Sequence, residues 1–216
     1  MFRLASLLSV VCATVGSAQL CTGEPSFGGA PLHFFGGGAV NGYFEFYNAG
    51  LLLGNTNVFG ELGAGMWTYN TVDGESFVVS GTFGAELPRI QKSKAQICPF
   101  ASIMIVNGPQ NIQGSGFDYH DTDLSIGVNA GYAMAHIGPV QFVPTTSITA
   151  MHSTASITDP AGAKDSRDEL FGYVGLGLGL RFGPEASLNP SVALPLGKAA
   201  GHTQFRFRFA LRLKNA

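Results

Sequence analysis

This chain of 216 residues is poor in charge and has no long apolar run after its first residues. Asp, Glu, Lys and Arg make up 12% of it, about half of the ~25% usual in soluble domains. A transmembrane helix needs roughly 18 consecutive apolar residues, which no later segment supplies. In no stretch do apolar residues recur at the 3.6-residue period of an amphipathic helix. These absences exclude a helical membrane protein, and a composition that is 45% apolar suits a water-covered surface poorly.

The first residues are typical of a secretory signal. Arg3 gives the positive start, residues 4–15 form a short apolar run, and Gly16-Ser17-Ala18 is a small-residue cleavage site. The sequence therefore predicts a signal peptide over residues 1–18 and one domain over residues 19–216.

Cysteine is scarce, with 3 in the whole chain. Cleavage of the signal removes Cys12 and leaves Cys21 and Cys98. An even number of cysteines in an oxidising compartment predicts one disulfide, and two free thiols fit an exported chain less well.

The clearest feature present is the alternation in the last segment. Side chains of a β-strand point alternately to opposite faces. Phe205, Phe207 and Phe209 therefore share a face with Leu211 and Leu213, and Arg206, Arg208 and Arg212 occupy the other. In a soluble sheet the apolar face would form the core, whereas in a membrane barrel it would meet lipid and the arginines would fill the lumen.

Similar alternation recurs along the chain and predicts an all-β fold. We predict a closed antiparallel transmembrane β-barrel of about ten strands, with eight as the alternative, because each segment is near the ~9–11 residues that a tilted membrane strand needs. Glycine is abundant, with 30 of 216 residues, and the triple Gly36-Gly37-Gly38 predicts a bulge. The predicted strands cover residues 32–42, 43–53, 57–69, 76–87, 96–107, 122–135, 140–153, 169–182, 187–196 and 203–213.

Charge indicates the inner face of the predicted strands. An isolated buried charge is very costly, so cations and anions in a narrow lumen must pair. We interpret the inward charges as a network of salt bridges that fills the lumen, in preference to an ion-selective pore. Side chains nearly fill the interior of a barrel of about eight strands. The predicted lumen network comprises Glu45, Glu61, Glu86, Arg181, Arg206, Arg208 and Arg212.

The connections differ on the two rims of the predicted barrel. Long polar loops are expected at 70–75, 108–121 and 154–168, and shorter turns on the other rim, as in bacterial outer-membrane barrels. An even number of strands places both chain ends on the short-turn, periplasmic rim. Cys98 begins its strand on that rim, where Cys21 can reach it.

Several side chains near the outer rim suggest chemistry. Acid and histidine together can activate water for hydrolysis or bind a divalent cation, but a solvated acidic loop is the favoured interpretation. No Gly-x-Ser-x-Gly, His-Glu-x-x-His or phosphate-loop motif is present, so no catalytic, metal or cofactor site is predicted. The loop residues are Asp118, His120, Asp121 and Asp123, followed by Asp165, Asp168 and Glu169.

Aromatic residues are expected near the same rim, either as an interfacial belt, which is favoured, or as a sugar-binding platform. They are Tyr43, Trp67, Tyr69, Phe117 and Tyr119. His33 and His136 are expected at the periplasmic rim as interfacial residues. Basic residues are too dispersed for a nucleic-acid partner.

Three stretches resemble the small bacterial outer-membrane β-barrel proteins, broadly the OmpA-type barrel domains. They are residues 97–101 (ICPFA), 173–180 (YVGLGLGL) and 188–197 (LNPSVALPLG). The resemblance implies residence in a Gram-negative-type outer membrane and insertion by the assembly machinery through the C-terminal strand. Such barrels usually end on an aromatic residue, whereas this chain ends on Ala216.

The predicted role is a structural or narrow-pore barrel without enzyme activity. Outer-membrane lipid is its expected partner, and small solutes or ions are candidate ligands. One alternative is an outer-membrane hydrolase with its site on the outer loops. The other is a secreted soluble β-sandwich that binds ligands. Solute and oligomeric state stay open.

Overall fold

The computed structural model describes residues 20–24, 32–55, 57–70, 72–87, 94–109, 115–134, 136–197 and 202–213. The predicted signal peptide lies outside these residues. Within them, no helix combines the length and the apolar character needed to cross a bilayer.

The described chain is built from ten long strands, one two-residue strand and one 3-10 turn, Leu20–Thr22. The strands are β1 Leu32–Val40, β2 Phe44–Gly54, β3 Val58–Tyr69, β4 Val72–Ala85, β5 Ala95–Asn107, β6 Asp118–Tyr132, β7 His136–Ile137, β8 Val140–Thr158, β9 Lys164–Phe182, β10 Ala186–Pro195 and β11 Gln204–Arg212.

The long strands form one closed antiparallel barrel. Each pairs with its neighbours in sequence, β6 pairs with β8 past the short β7, and β1 pairs with β11 to close the sheet. The predicted ten-stranded barrel is confirmed. The sandwich and eight-strand alternatives were wrong, because the sheet returns on itself only at the tenth long strand. The rim where β1 begins and β11 ends is called the chain-end rim below.

Large apolar side chains cover the outer surface of the barrel. Exposed fractions reach 65% at Leu62, 66% at Ile126 and 63% at Ile148. On β6 this apolar belt runs from Leu124 to Tyr132. The predicted outward face of β11 is confirmed, with Phe205, Phe207 and Leu211 exposed. Further belt residues are Leu51, Leu53, Met66, Phe77, Val79, Phe83, Ile97, Ile103, Ile105, Val128, Leu176, Leu178, Leu188, Leu194, Phe205, Phe207 and Leu211.

The glycine triple of β1 does not form a bulge. Pairing of β1 with both neighbours continues through Gly36 and Gly38 without a register shift. Both glycines face outward, and a Cβ on Gly36 would lie 2.6 Å from the ring of Phe209. The glycines therefore make room for aromatic side chains of β11, which is why the predicted bulge was wrong.

Two of the predicted outer loops are mostly strand. β8 and β9 continue as a ladder to Thr158 and Lys164, so Asp165 and Asp168 lie on a hairpin rather than in a loop. Thr154 Oγ1 donates to Asp168 Oδ1 at 2.7 Å across this hairpin. β3 and β4 are likewise joined by a short turn instead of a loop over residues 70–75.

Phe35 shows how inward glycines shape the lumen. Its side chain is fully buried, and its ring lies across Gly50 of β2 and Gly63 of β3. A Cβ on Gly50 would overlap the carbonyl oxygen of Leu62 and lie 2.8 Å from the Phe35 ring.

Gly50→Ala is therefore predicted to destabilise the barrel by roughly 1–3 kcal/mol through overpacking. Gly60→Ala is the matched control, since its nearest neighbour would be a carbonyl oxygen at 3.8 Å. Urea unfolding in lipid vesicles, followed by the fluorescence of the one tryptophan, measures both. Equal stability of the two variants would contradict the close packing at Gly50.

Candidate functional site

The N-terminal segment lies inside the barrel. Cys21, Gly23 and Glu24 are buried, and the 3-10 turn packs against β5, β6 and β8. Cys21 forms a disulfide with Cys98, an inward residue of β5, with their Cα atoms 5.9 Å apart. The predicted pairing is confirmed, and it lies in the lumen above the chain-end rim. Residues 20–24 are called the plug below.

Hydrogen bonds tie the plug to two further points of the wall. The Cys21 N–H donates to Gln96 Oε1 of β5 at 3.2 Å. Asn189 Nδ2 of β10 donates to the Thr22 carbonyl oxygen at 2.6 Å. Because β5 and β10 lie far apart around the barrel, these bonds and the disulfide hold the plug across the lumen.

Two glycines let the plug backbone touch the wall. Gly23 has a φ of 71°, a conformation that costs glycine little. A Cβ on the inward Gly179 of β9 would lie 2.7 Å from Gly23 Cα. Alanine at either position would therefore push the segment away from β9.

Arg208 of β11 is the charged centre of the lumen. Its Nε pairs with Glu24 Oε1 of the plug, and its Nη1 lies 2.9 Å from Glu61 Oε2 of β3. The glutamate side chains are only 3% and 11% exposed. The guanidinium carbon also lies 4.3 Å from the centre of the Phe35 ring. One cation thus joins plug, β3 and β1 to β11.

The other predicted arginines face inward, as expected, but have different partners. Arg181 Nη1 donates to Gln141 Oε1 at 3.1 Å. Arg212 lies in register with His33, which is fully buried, so the prediction of an interfacial His33 was wrong. Arg206 contacts Gln204 and the Tyr173 ring. Glu86 directly follows the last residue of β4 at the chain-end rim, and its Oε2 atom is buried.

Glu45 does not belong to the lumen network. It is exposed on the outer face of β2 and accepts a hydrogen bond of 3.1 Å from the Tyr47 hydroxyl. The prediction failed because Glu45 lies at the rim opposite the chain ends, where an outward charge can remain in water. Glu24 was missed because its short segment has no alternation that would assign it to a face.

A cavity of about 430 Å³ lies above the plug, on the side away from the chain-end rim. Trp67 and Tyr69 of β3 face this interior, and the Trp67 ring centre lies 4.5 Å from that of Phe44. The favoured interpretation of Trp67 and Tyr69 as part of an outer belt was therefore wrong. Tyr43 and Phe117 are exposed at the rim.

The predicted acidic set is divided between the two faces of β6. His120 and Asp118 face outward, with Nε2 2.9 Å from Asp118 Oδ2 and Nδ1 2.7 Å from Asn107 Oδ1. Asp121 faces inward above the belt, where it accepts from Ser153 and burial raises the pKa of its carboxyl. Among the described residues, no three His, Cys, Asp or Glu side chains are grouped to hold a metal ion.

No family model and no curated protein matches the chain. Among solved structures it is similar to Neisserial surface protein A (NspA), with 12% identity, 85% of this chain and 98% of that chain covered, and a TM-score of 0.40. For the translocator domain of the autotransporter NalP from Neisseria meningitidis these values are 12%, 86%, 89% and 0.41. For the N-terminal β-barrel domain of Pseudomonas aeruginosa OprF they are 8%, 84%, 96% and 0.35. Values this low support no functional inference, and the OmpA-type resemblance stays a prediction.

Arg208→Ala is predicted to lower the free energy of unfolding by about 3–5 kcal/mol, because Glu24 and Glu61 would lose their buried cation. Arg167→Ala is the control, since it removes an arginine that is 80% exposed from a surface pair with Glu169, which is worth about 0–1 kcal/mol. Urea unfolding in vesicles compares them. A loss at Arg208 no larger than at Arg167 would contradict the role of the triad.

Proposed function

We propose that this protein is an integral barrel of a bacterial outer membrane, with the apolar belt in contact with lipid. The apolar belt is the main support for this location, since exposed apolar patches of this extent are unfavourable in water. All backbone groups of a closed sheet pair internally, as a bilayer requires. Membrane lipid and the assembly machinery that would insert the C-terminal strand are its proposed partners.

The proposed role is that of a structural barrel or a narrow, normally closed pore, without enzyme activity. The main support for this role is the plug, which is bonded to Cys98, Asn189 and Arg208 across the lumen. An open general pore would leave this cross-section to water. The hydrolase alternative has less support, because the predicted acid–histidine set is split between the two faces of β6.

The belt predicts that Leu178→Arg costs roughly 2–4 kcal/mol, the usual penalty for a cation on the lipid face at mid-depth. Ser166→Arg is the control, since it is exposed on the same face of β9 but beyond the belt. Urea unfolding in vesicles measures the stability of both variants.

The proposed location also predicts that the wild type fractionates with outer membranes and migrates differently in detergent gels when heated. Recovery in the soluble periplasm would refute the proposed location.

The plug predicts little current through the wild-type protein in a planar bilayer. A Cys21→Ser/Cys98→Ser variant and the Arg208→Ala variant should conduct more, because each loses an anchor of the plug. Dithiothreitol should raise the wild-type current and leave the double serine variant unchanged, which controls for other effects of the reductant. A large, anion-selective wild-type current would show that the lumen is an open pore instead.

A further inference from the structure

The cavity above the plug has the size of a small-molecule site. Its volume of about 430 Å³ lies within the ~300–1,000 Å³ of typical ligand pockets. Thr22 and Glu24 of the plug are among its lining residues, together with Arg208, so the plug forms part of the cavity wall.

One row of paired residues gives the cavity wall an amphipathic character. Arg206 of β11 lies opposite Ala39 of β1, Ala39 opposite Phe46 of β2, and Phe46 opposite Trp67 of β3. All four line the cavity. Directly opposed residues are about 5 Å apart, and Ala39 contributes only a methyl group. A cation, a gap and two aromatic rings thus follow one another on the same inner surface.

Arg206 differs from Arg208 in having no counter-ion among the residues that the structure describes. Its Nε and Nη2 share one acceptor, Gln204 Oε1, at 3.0 and 2.6 Å. Within the described part of the chain, no carboxylate lies within ion-pair distance of Arg206. Its side chain is nevertheless exposed to the lumen. A guanidinium so placed has free donors suited to a carboxylate or sulfonate.

The opposite wall limits the charge that the cavity accepts. Asp123 of β6 is 5% exposed, and β6 lies across the ring of strands from β11. Asp123 Oδ1 and Trp67 Nε1 are buried and have no hydrogen-bond partner among the described residues. Asp123 would repel a second negative charge on a solute. It could instead accept a hydrogen bond from a donor group on the solute.

We infer that this cavity binds a small amphipathic monoanion. The anionic group lies at Arg206, and the apolar body fills the gap at Ala39 and packs on Phe46 and Trp67. The inference does not depend on whether the barrel conducts, because a closed plug and a binding cavity above it are compatible.

The test uses 4-nitrobenzoate as probe and Trp67 as reporter, since it is the single tryptophan and lines the cavity. Titration of the full-length mature protein in vesicles should quench its fluorescence saturably. Neutral 4-nitrobenzamide and dianionic 4-nitrophthalate, which share the aromatic body, should bind more weakly. Arg206→Gln should weaken 4-nitrobenzoate binding about tenfold, the factor expected for losing a charge-assisted pair of hydrogen bonds.

Two further variants keep the result decisive. Arg167→Gln makes the same charge change on the exposed hairpin and should leave binding unaltered. Ala39→Leu keeps the charge of Arg206 but fills the gap beside it, so it should also weaken binding. If Arg206→Gln does not fold, this variant tests the inference in its place. Heat-modifiable migration verifies folding. Quenching that does not saturate, equal binding of the amide, or unchanged binding in folded Arg206→Gln or Ala39→Leu would overturn the inference.

Discussion

The buried charge of Arg208 is the constraint on which the inside of this barrel depends. At its buried position the Arg208 guanidinium is balanced by two carboxylates, and one of these partners, Glu24, comes from outside the sheet. The plug is therefore part of the charge balance of the wall as well as a covalently attached segment. Phe35 supports the same cation from below, and it can do so because Gly50 and Gly63 leave space against the wall.

The disulfide and the charge triad act on the plug in different ways. The bond to Cys98 closes a sequence separation of 77 residues, for which chain-entropy models give about 4 kcal/mol at most. It fixes one end of the plug to β5. The pairing of Glu24 with Arg208 orients the other end toward β11 and β3, and the contact of Gly23 with Gly179 fixes its distance from β9.

Much of the fold could be predicted because alternation is a property of the strand itself. The opposite faces of Phe207 and Arg208, and the pairing of Cys21 with Cys98, follow from period two and from cysteine number. The errors arose where a residue was assigned to a face of its strand from its charge or its aromatic ring instead of from the two-residue period. Glu45 is outward because the rim is wet, and Trp67 is inward because the lumen is partly aromatic. Glu24 carries no periodic signal, so only the three-dimensional structure places it beside Arg208.

The most direct test of the account is carboxyl labelling of the folded protein in membranes with a water-soluble carbodiimide and an amine, read by peptide mass spectrometry. We predict that Glu24 and Glu61 remain unlabelled while the exposed Asp165 and Asp168 are modified. Labelling of Glu24 as fast as that of Asp165 would contradict it, because the plug would then not be paired with Arg208 inside the barrel.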